Sequence, residues 1–130
     1  MIPEISTLYA AVLGLLFVPF TFYVAIYRIQ NSILLLDGGD KVMARRIRAQ
    51  ANFVETVPIA LILLVLMELN GAGSAWLHSL GGILVVARVV HYITIATNPA
   101  KTLPRALSMT ATLLLILVAA GWLLQHSLIN

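Results

Sequence analysis

The chain has 130 residues, of which 61% are hydrophobic and 10% charged, with a mean hydropathy of +0.99 and a formal net charge of +3. Roughly 45–50% apolar residues is usual in a soluble domain, and one this small has too little interior to hide the excess, so composition points to a single-domain integral membrane protein. The absence of cysteine excludes disulfides, a cysteine nucleophile and cysteine-ligated metals, and His78, His91 and His126 show no metal-ligand spacing, so no metal is expected.

The N-terminus, MIPEISTLYAAVLGLLF, has no basic start, carries Glu4 and lacks a small-x-small cleavage site. It reads as the beginning of a retained span and not as a signal peptide. Apolar stretches over residues 5–27, 49–69, 76–96 and 106–125 approach or reach the roughly 20 helical residues that cross a hydrocarbon core. The breaks LLLDGGD, ELNGAGS and TNPAKTLP carry the Gly, Asn, Asp and Pro of turns. Backbone in lipid must satisfy itself, and the runs lack two-residue alternation, so the prediction is an all-α bundle of four transmembrane helices and not a barrel. Pro19 is a tolerated proline of a membrane helix, and Pro58 is predicted to kink the second span. Gly14, Gly81, Gly82 and Gly121 are expected to allow close helix approach. Tyr9, Trp76 and Trp122 read as interfacial anchors, Glu68 as a solvated span end, and Met43, Met67 and Met109 as packing.

The basic residues are Arg28, Lys41, Arg45, Arg46, Arg48, Arg88, Lys101 and Arg105. All but Arg88 fall in or within a turn of the first and third loops, whereas both termini and the second loop have none. The positive-inside rule therefore predicts cytoplasmic first and third loops and both termini outside. The basic excess is a topology signal, which argues against nucleic-acid binding.

Residues 48–58, RAQANFVETVP, put Arg48, Gln50, Asn52 and Glu55 at the mouth of an apolar helix. At 100° per residue, Arg48, Asn52 and Glu55 share a sector of about 60°. Glu55 lies about 10 Å along the second helix and Arg88 about 12 Å back from the same end of the third, at similar depth. Intramembrane charges tend to pair, so a Glu55–Arg88 pair is expected, with His91 and Tyr92 one turn closer to the cytoplasm on the Arg88 face. A buried polar staple would need fewer donors than these residues and Arg45 supply. The surplus of arginine suits an anionic polar ligand, because guanidinium binds carboxylates bidentately and Asn and Gln satisfy amides.

At this point the chain resembles the MAPEG superfamily, the membrane-associated proteins in eicosanoid and glutathione metabolism, over its whole length. Arg48-Ala49-Gln50-Ala51-Asn52-Phe53-Val54-Glu55-Thr56-Val57-Pro58 is similar to the family pattern R-A-[QH]-x-N-x-x-E-x-x-P, and Ala87-Arg88-Val89-Val90-His91 resembles its A-R-x-x-H segment. The DGG of loop one and the short second loop look most similar to small bacterial inner-membrane members. The resemblance implies a homotrimer that binds glutathione between subunits near the cytoplasmic face. Carried over by position, Arg48, Gln50, Asn52 and Glu55 would contact the tripeptide, with Arg88, His91 and Tyr92 completing the polar interior. Arg28 matches a family arginine at the mouth. Arg105, after a one-residue shift, is the nearest match to the arginine that stabilises the thiolate. The chain departs from the family enzymes at Ile95, where a tyrosine is frequent.

The resemblance thus implies a glutathione-dependent membrane enzyme of transferase or peroxidase type. It would act on a lipophilic electrophile or hydroperoxide arriving from the membrane lipids, with Arg105 and Arg28 as catalytic residues. One alternative is a family member that holds glutathione or lipid without turnover. Another is a small proton-coupled transporter, but such proteins carry their essential carboxylate in the first span, which here has no acid between Ile5 and Arg28.

Overall fold

The computed structural model describes residues 2–129. Four helices follow one another: α1 (Glu4–Gln30), α2 (Lys41–Leu69), α3 (Ser74–Thr97) and α4 (Thr102–Ile129). Each is long and apolar enough to cross a membrane, which gives the all-α four-span architecture expected from the sequence. Short connections turn the chain back each time. Loop one (31–40) and loop three (98–101) therefore share one end of the bundle, and loop two (70–73) lies with both termini at the other.

The expected spans lie inside these helices, and the largest difference is at α2, which starts at Lys41 and not near residue 49. Asp40 caps it: Oδ1 accepts hydrogen bonds from the N–H groups of Val42 at 2.7 Å and Met43 at 2.8 Å. The segment KVMARRIR contains good helix formers, but its charge makes it read as loop on hydropathy alone. The Met43 N–H is the main reason that the Asp40 carboxyl titrates below its ordinary range. Tyr27 donates to the other Asp40 oxygen at 3.1 Å. The Arg46 guanidinium sits 3.7 Å and 4.2 Å from the ring centres of Tyr23 and Tyr27. These contacts fasten the start of α2 to the end of α1. Further along, α2 runs through Pro58 as one helix.

The core lies between α2 and α3, with Phe53, Val57, Ala60, Leu64 and Leu84 closed over by Leu13 of α1 and by Leu115 and Ala119 of α4. Among the described residues α1 packs on α2 and α3 but does not touch α4. Outward faces stay apolar, as at Leu15 (75% exposed) and Leu117 (67%), which suits a lipid surrounding.

At the termini end the structure corrects the expectation for Glu68, which is buried and not solvated. Its carboxylate accepts from the N–H groups of Ile5 at 2.8 Å and Ser6 at 2.7 Å, and from the Ser6 hydroxyl. The first N–H groups of a helix have no intrahelical acceptor, and a carboxylate there also meets the positive end of the helix dipole. Tyr9 is likewise more than an interfacial anchor. Its hydroxyl donates to the His78 carbonyl at 3.0 Å and lies 3.1 Å from His78 Nδ1. Its ring covers Gly81 so closely that a Cβ there would overlap it. Gly81 thus gives the close approach expected of it, whereas among the described residues no other part of the chain packs within 4 Å of a Cβ built at Gly14 or Gly121.

Candidate functional site

At the end shared by loops one and three, α2, α3 and α4 diverge around a cavity of about 450 Å³. Arg48 and Asn52 come from the third and fourth turns of α2, His91 and Ile95 from the last turns of α3, and Thr102, Arg105, Ala106 and Met109 from the start of α4. Arg48 and Asn52 share a face because they are four residues apart, and the Asn52 amide donates to the Arg48 carbonyl at 3.0 Å. The cavity therefore has a polar side with two guanidiniums, an amide and an imidazole, and an apolar side of Ile95, Ala106 and Met109.

Glu55 does not reach this cavity. Its carboxylate lies 3.5 Å from the Arg48 guanidinium, with the two side chains 55% and 62% exposed. The Arg48–Glu55 stripe is as the helical spacing predicts, but it turns outward. The expected Glu55–Arg88 pair is not formed within the chain; the only ion pair among the described residues is Arg48–Glu55. Thr56, one residue and 100° further round α2, faces α3 instead and accepts from Arg88 Nη1 at 3.0 Å. Arg88 Nη2 donates to the Ser108 carbonyl at 3.1 Å and lies 3.9 Å from the Met109 sulfur. The guanidinium is 1% exposed, and its Nε is buried without a partner among the described residues. Arg88 thus stands behind the cavity wall as a cation held by neutral groups.

His91 does line the cavity. Its Nδ1 is 3.2 Å from the Arg105 carbonyl and 3.1 Å from the Ser108 hydroxyl. A carbonyl can only accept, so a hydrogen bond to the Arg105 carbonyl requires the tautomer with its proton on Nδ1. Nε2 is buried with no partner among the described residues. Tyr92 turns away: its ring stacks on Phe20 with centroids 3.7 Å apart, and its hydroxyl donates to the Phe20 carbonyl at 2.8 Å. Gln50 also faces α1, donating to the Thr21 hydroxyl at 2.9 Å. Arg28 is held to the Ile33 carbonyl at 3.3 Å and lines a different cavity, which shares only Arg48 with the first.

Of the residues singled out from sequence, Arg48, Asn52, His91 and Arg105 thus converge on one cavity within the chain. Sequence reasoning missed Thr56, Thr102 and Ser108, and took Met109 for packing alone. Ser108 and Thr112 sit four residues apart in an apolar span and are both buried, a pattern that flags a polar seam inside a bundle. Among the described residues no group of His, Asp or Glu could hold a metal ion.

The sequence profile of the MAPEG family matches residues 6–125. The chain belongs to the MAPEG family. It is similar to the inner membrane protein YecN of Escherichia coli strain K12, being 33% identical over 126 residues that make up 96% of each chain. YecN of Escherichia coli O6:H1 strain CFT073 matches to the same extent. Membership makes this a membrane protein of the glutathione and eicosanoid metabolism type. The resemblance drawn from the α2 signature is borne out across nearly the whole chain.

Proposed function

We propose that the protein binds glutathione in the cavity between α2, α3 and α4 and uses it to conjugate or reduce a lipophilic electrophile or hydroperoxide. The observation that carries this reading is the meeting of Arg48, Asn52, His91 and Arg105 on one cavity with an apolar far wall. Guanidiniums suit the two carboxylates of the tripeptide, and the Asn52 amide suits its peptide groups. A thiol attacks as its thiolate, and a cation aimed at the sulfur stabilises that charge. Arg105 is the candidate for this role because its side chain lines the cavity next to the apolar wall where a lipophilic partner would lie. Holding both reactants there supplies much of the rate enhancement.

The outward Arg48–Glu55 pair supports a homotrimer, because a charged pair two turns inside a span is costly against lipid. A neighbouring subunit covering it would bring Glu55 to the ligand's ammonium group and Arg28 to the mouth. Clustering of cations at loops one and three supports a cytoplasmic placement of that end, in an inner membrane like that of the YecN relatives.

One observation favours a second reading, glutathione binding without turnover. Ile95 occupies the wall, and the Tyr92 hydroxyl is committed to Phe20, so no phenol lines the cavity. Two measurements test the pair of readings. Glutathione at about 100 times its Kd should stabilise the protein by about 2.7 kcal/mol, and Arg48→Ala or Asn52→Ala should abolish the effect; no stabilisation of the wild type sinks both readings. Rapid mixing with glutathione should give thiolate absorbance in the near ultraviolet, lost in Arg105→Gln. Binding without thiolate or conjugate selects the second reading.

A further inference from the structure

The helices α3 and α4, which help to wall the first cavity, also form an apolar groove on their other side. It has a volume of about 540 Å³, with Ile83, Val86 and Val90 on one bank and Pro104, Leu107 and Ala111 on the other. Pro104, Leu107 and Ala111 share a helix face, distinct from the Arg105–Met109 face that lines the first cavity. No residue of α1 or α2 contributes to the lining, and Val86 is 62% and Leu107 61% exposed, so the groove opens outward. Ser108 carries the one hydroxyl in the lining, and that hydroxyl is spent. It donates to the Arg105 carbonyl at 3.1 Å and lies 3.1 Å from His91 Nδ1. From Gly82 to Val90 the groove follows about 12 Å of α3 at 1.5 Å per residue, and at Pro104 it comes within a turn of the start of α4. An outward, apolar groove on two membrane-spanning helices is a surface for hydrocarbon.

Charge decides what meets its loop-three end. All five acidic residues of the chain, from Glu4 to Glu68, precede α3. From α3 onward the chain carries Arg88, Lys101 and Arg105 and no Asp or Glu. Arg88 is buried, and Arg105 lines the first cavity. Lys101 is left exposed three residues ahead of Pro104, in a turn fixed by its own N–H, which donates to the Asn98 carbonyl at 3.1 Å. Its ammonium has no hydrogen-bond or ion-pair partner among the described residues. A hydrocarbon groove thus ends beside an unpaired cation, on a helix pair without carboxylates.

We propose that this groove holds an acyl chain of an anionic phospholipid whose headgroup phosphate lies on Lys101. The chain gains close contact along both banks, a dispersion term that any acyl chain shares. Selection comes from the headgroup. A phosphoglycerol group brings net negative charge to Lys101. The cationic end of phosphoethanolamine or phosphocholine finds no Asp or Glu on α3, loop three or α4 to offset the lysine. None of the residues proposed to hold glutathione takes part, so either proposal can fail without the other.

The test is native mass spectrometry of the purified protein competed with phosphatidylglycerol, phosphatidylethanolamine and phosphatidylcholine of identical acyl chains. Phosphatidylglycerol should be retained about fivefold over each of the others, the worth of one lysine at an anionic headgroup. Lys101→Gln, at an exposed position that packing does not use, should bring the three lipids level. Lys41→Gln removes another exposed cation from the same end of the bundle and should leave the preference intact. Ala111→Phe fills the groove and should lower retention of all three lipids. Val86→Trp gives a second reading in bilayers. Above the background of Trp76 and Trp122, its fluorescence should be quenched more by phosphatidylglycerol brominated on the acyl chain than by phosphatidylethanolamine labelled in the same way, and adding Lys101→Gln should remove the difference. Equal retention of the three lipids by the wild type, a preference that survives Lys101→Gln, or equal loss in Lys41→Gln overturns the proposal. Displacement of the lipid by glycerol 3-phosphate, which has the charge without the chain, overturns it in favour of a soluble phosphate. A changed subunit number in Ala111→Phe with lipid retention unaltered overturns it in favour of a second copy of the chain.

Discussion

The two ends of this bundle carry different polar inventories, with seven of the eight basic residues in or near loops one and three, and they use them differently. At the termini end, Glu68 takes three hydrogen bonds from Ile5 and Ser6, Tyr9 is engaged with His78, and Gly81 lets the Tyr9 ring close the gap. Polar groups there complete one another, and the helices close together. At the end of loops one and three, the helices separate around two cavities, and Arg88 Nε and His91 Nε2 are buried without partners among the described residues. Polar capacity that a fold does not consume internally is available to a ligand, whereas capacity consumed internally is structure. That contrast supports the proposed placement of the site at one end without reference to any relative.

Substitutions can break the contrast, beginning with the closed end. Glu68→Ala strands two N–H groups and a hydroxyl, so a loss of about 3 kcal/mol is expected, read as a lowered Tm in detergent with glutathione stabilisation retained at saturation. A Glu68→Ala protein as stable as the wild type would remove the claim that this end is structural. Gly81→Ala drives a methyl into the Tyr9 ring, and a cost of about 2 kcal/mol follows. The double variant Gly81→Ala/Tyr9→Ala should recover part of that loss, and an absence of coupling would mean that the contact is not tight.

At the open end the expected stability effects are smaller. Arg88→Met replaces a buried cation, held by neutral groups, with an apolar side chain of similar length, so stability should change by about 1 kcal/mol or less. If Arg88 also sets the potential of the cavity, glutathione stabilisation falls while the fold survives; unchanged binding would make it glue alone. Arg48→Ala without ligand should cost about 0.5 kcal/mol or less, because its ion pair is exposed. The smallest expected effect is a pH dependence. The Asp40 carboxyl is lowered in the folded protein, chiefly by the Met43 N–H. Its contribution is therefore complete above the ordinary carboxylate range and fades as pH falls through the lowered value. Asp40→Asn should flatten that part of the Tm profile, and an unchanged profile would exclude the cap as its source.

Sequence by itself determined the four helices, because a hydrocarbon core demands about 20 apolar residues per span and leaves the backbone no other satisfied form. It also determined the family, since RAQANFVETVP fixes several residue types at helical spacing, and it nominated Arg48, Asn52, His91 and Arg105. Tertiary structure alone decided which way each polar residue faces. Periodicity places residues relative to one another on a helix but leaves the rotation of that helix against its neighbours open. A turn of 100° therefore separates the expected Glu55 partner of Arg88 from the actual one, Thr56, and a smaller turn sends Tyr92 to Phe20 and away from the cavity. Hydropathy likewise could not tell a solvated Glu68 from a buried one, because the difference lies in the two N–H groups that α1 brings to it from 62 and 63 residues away. Contacts that distant in sequence leave no local pattern to read.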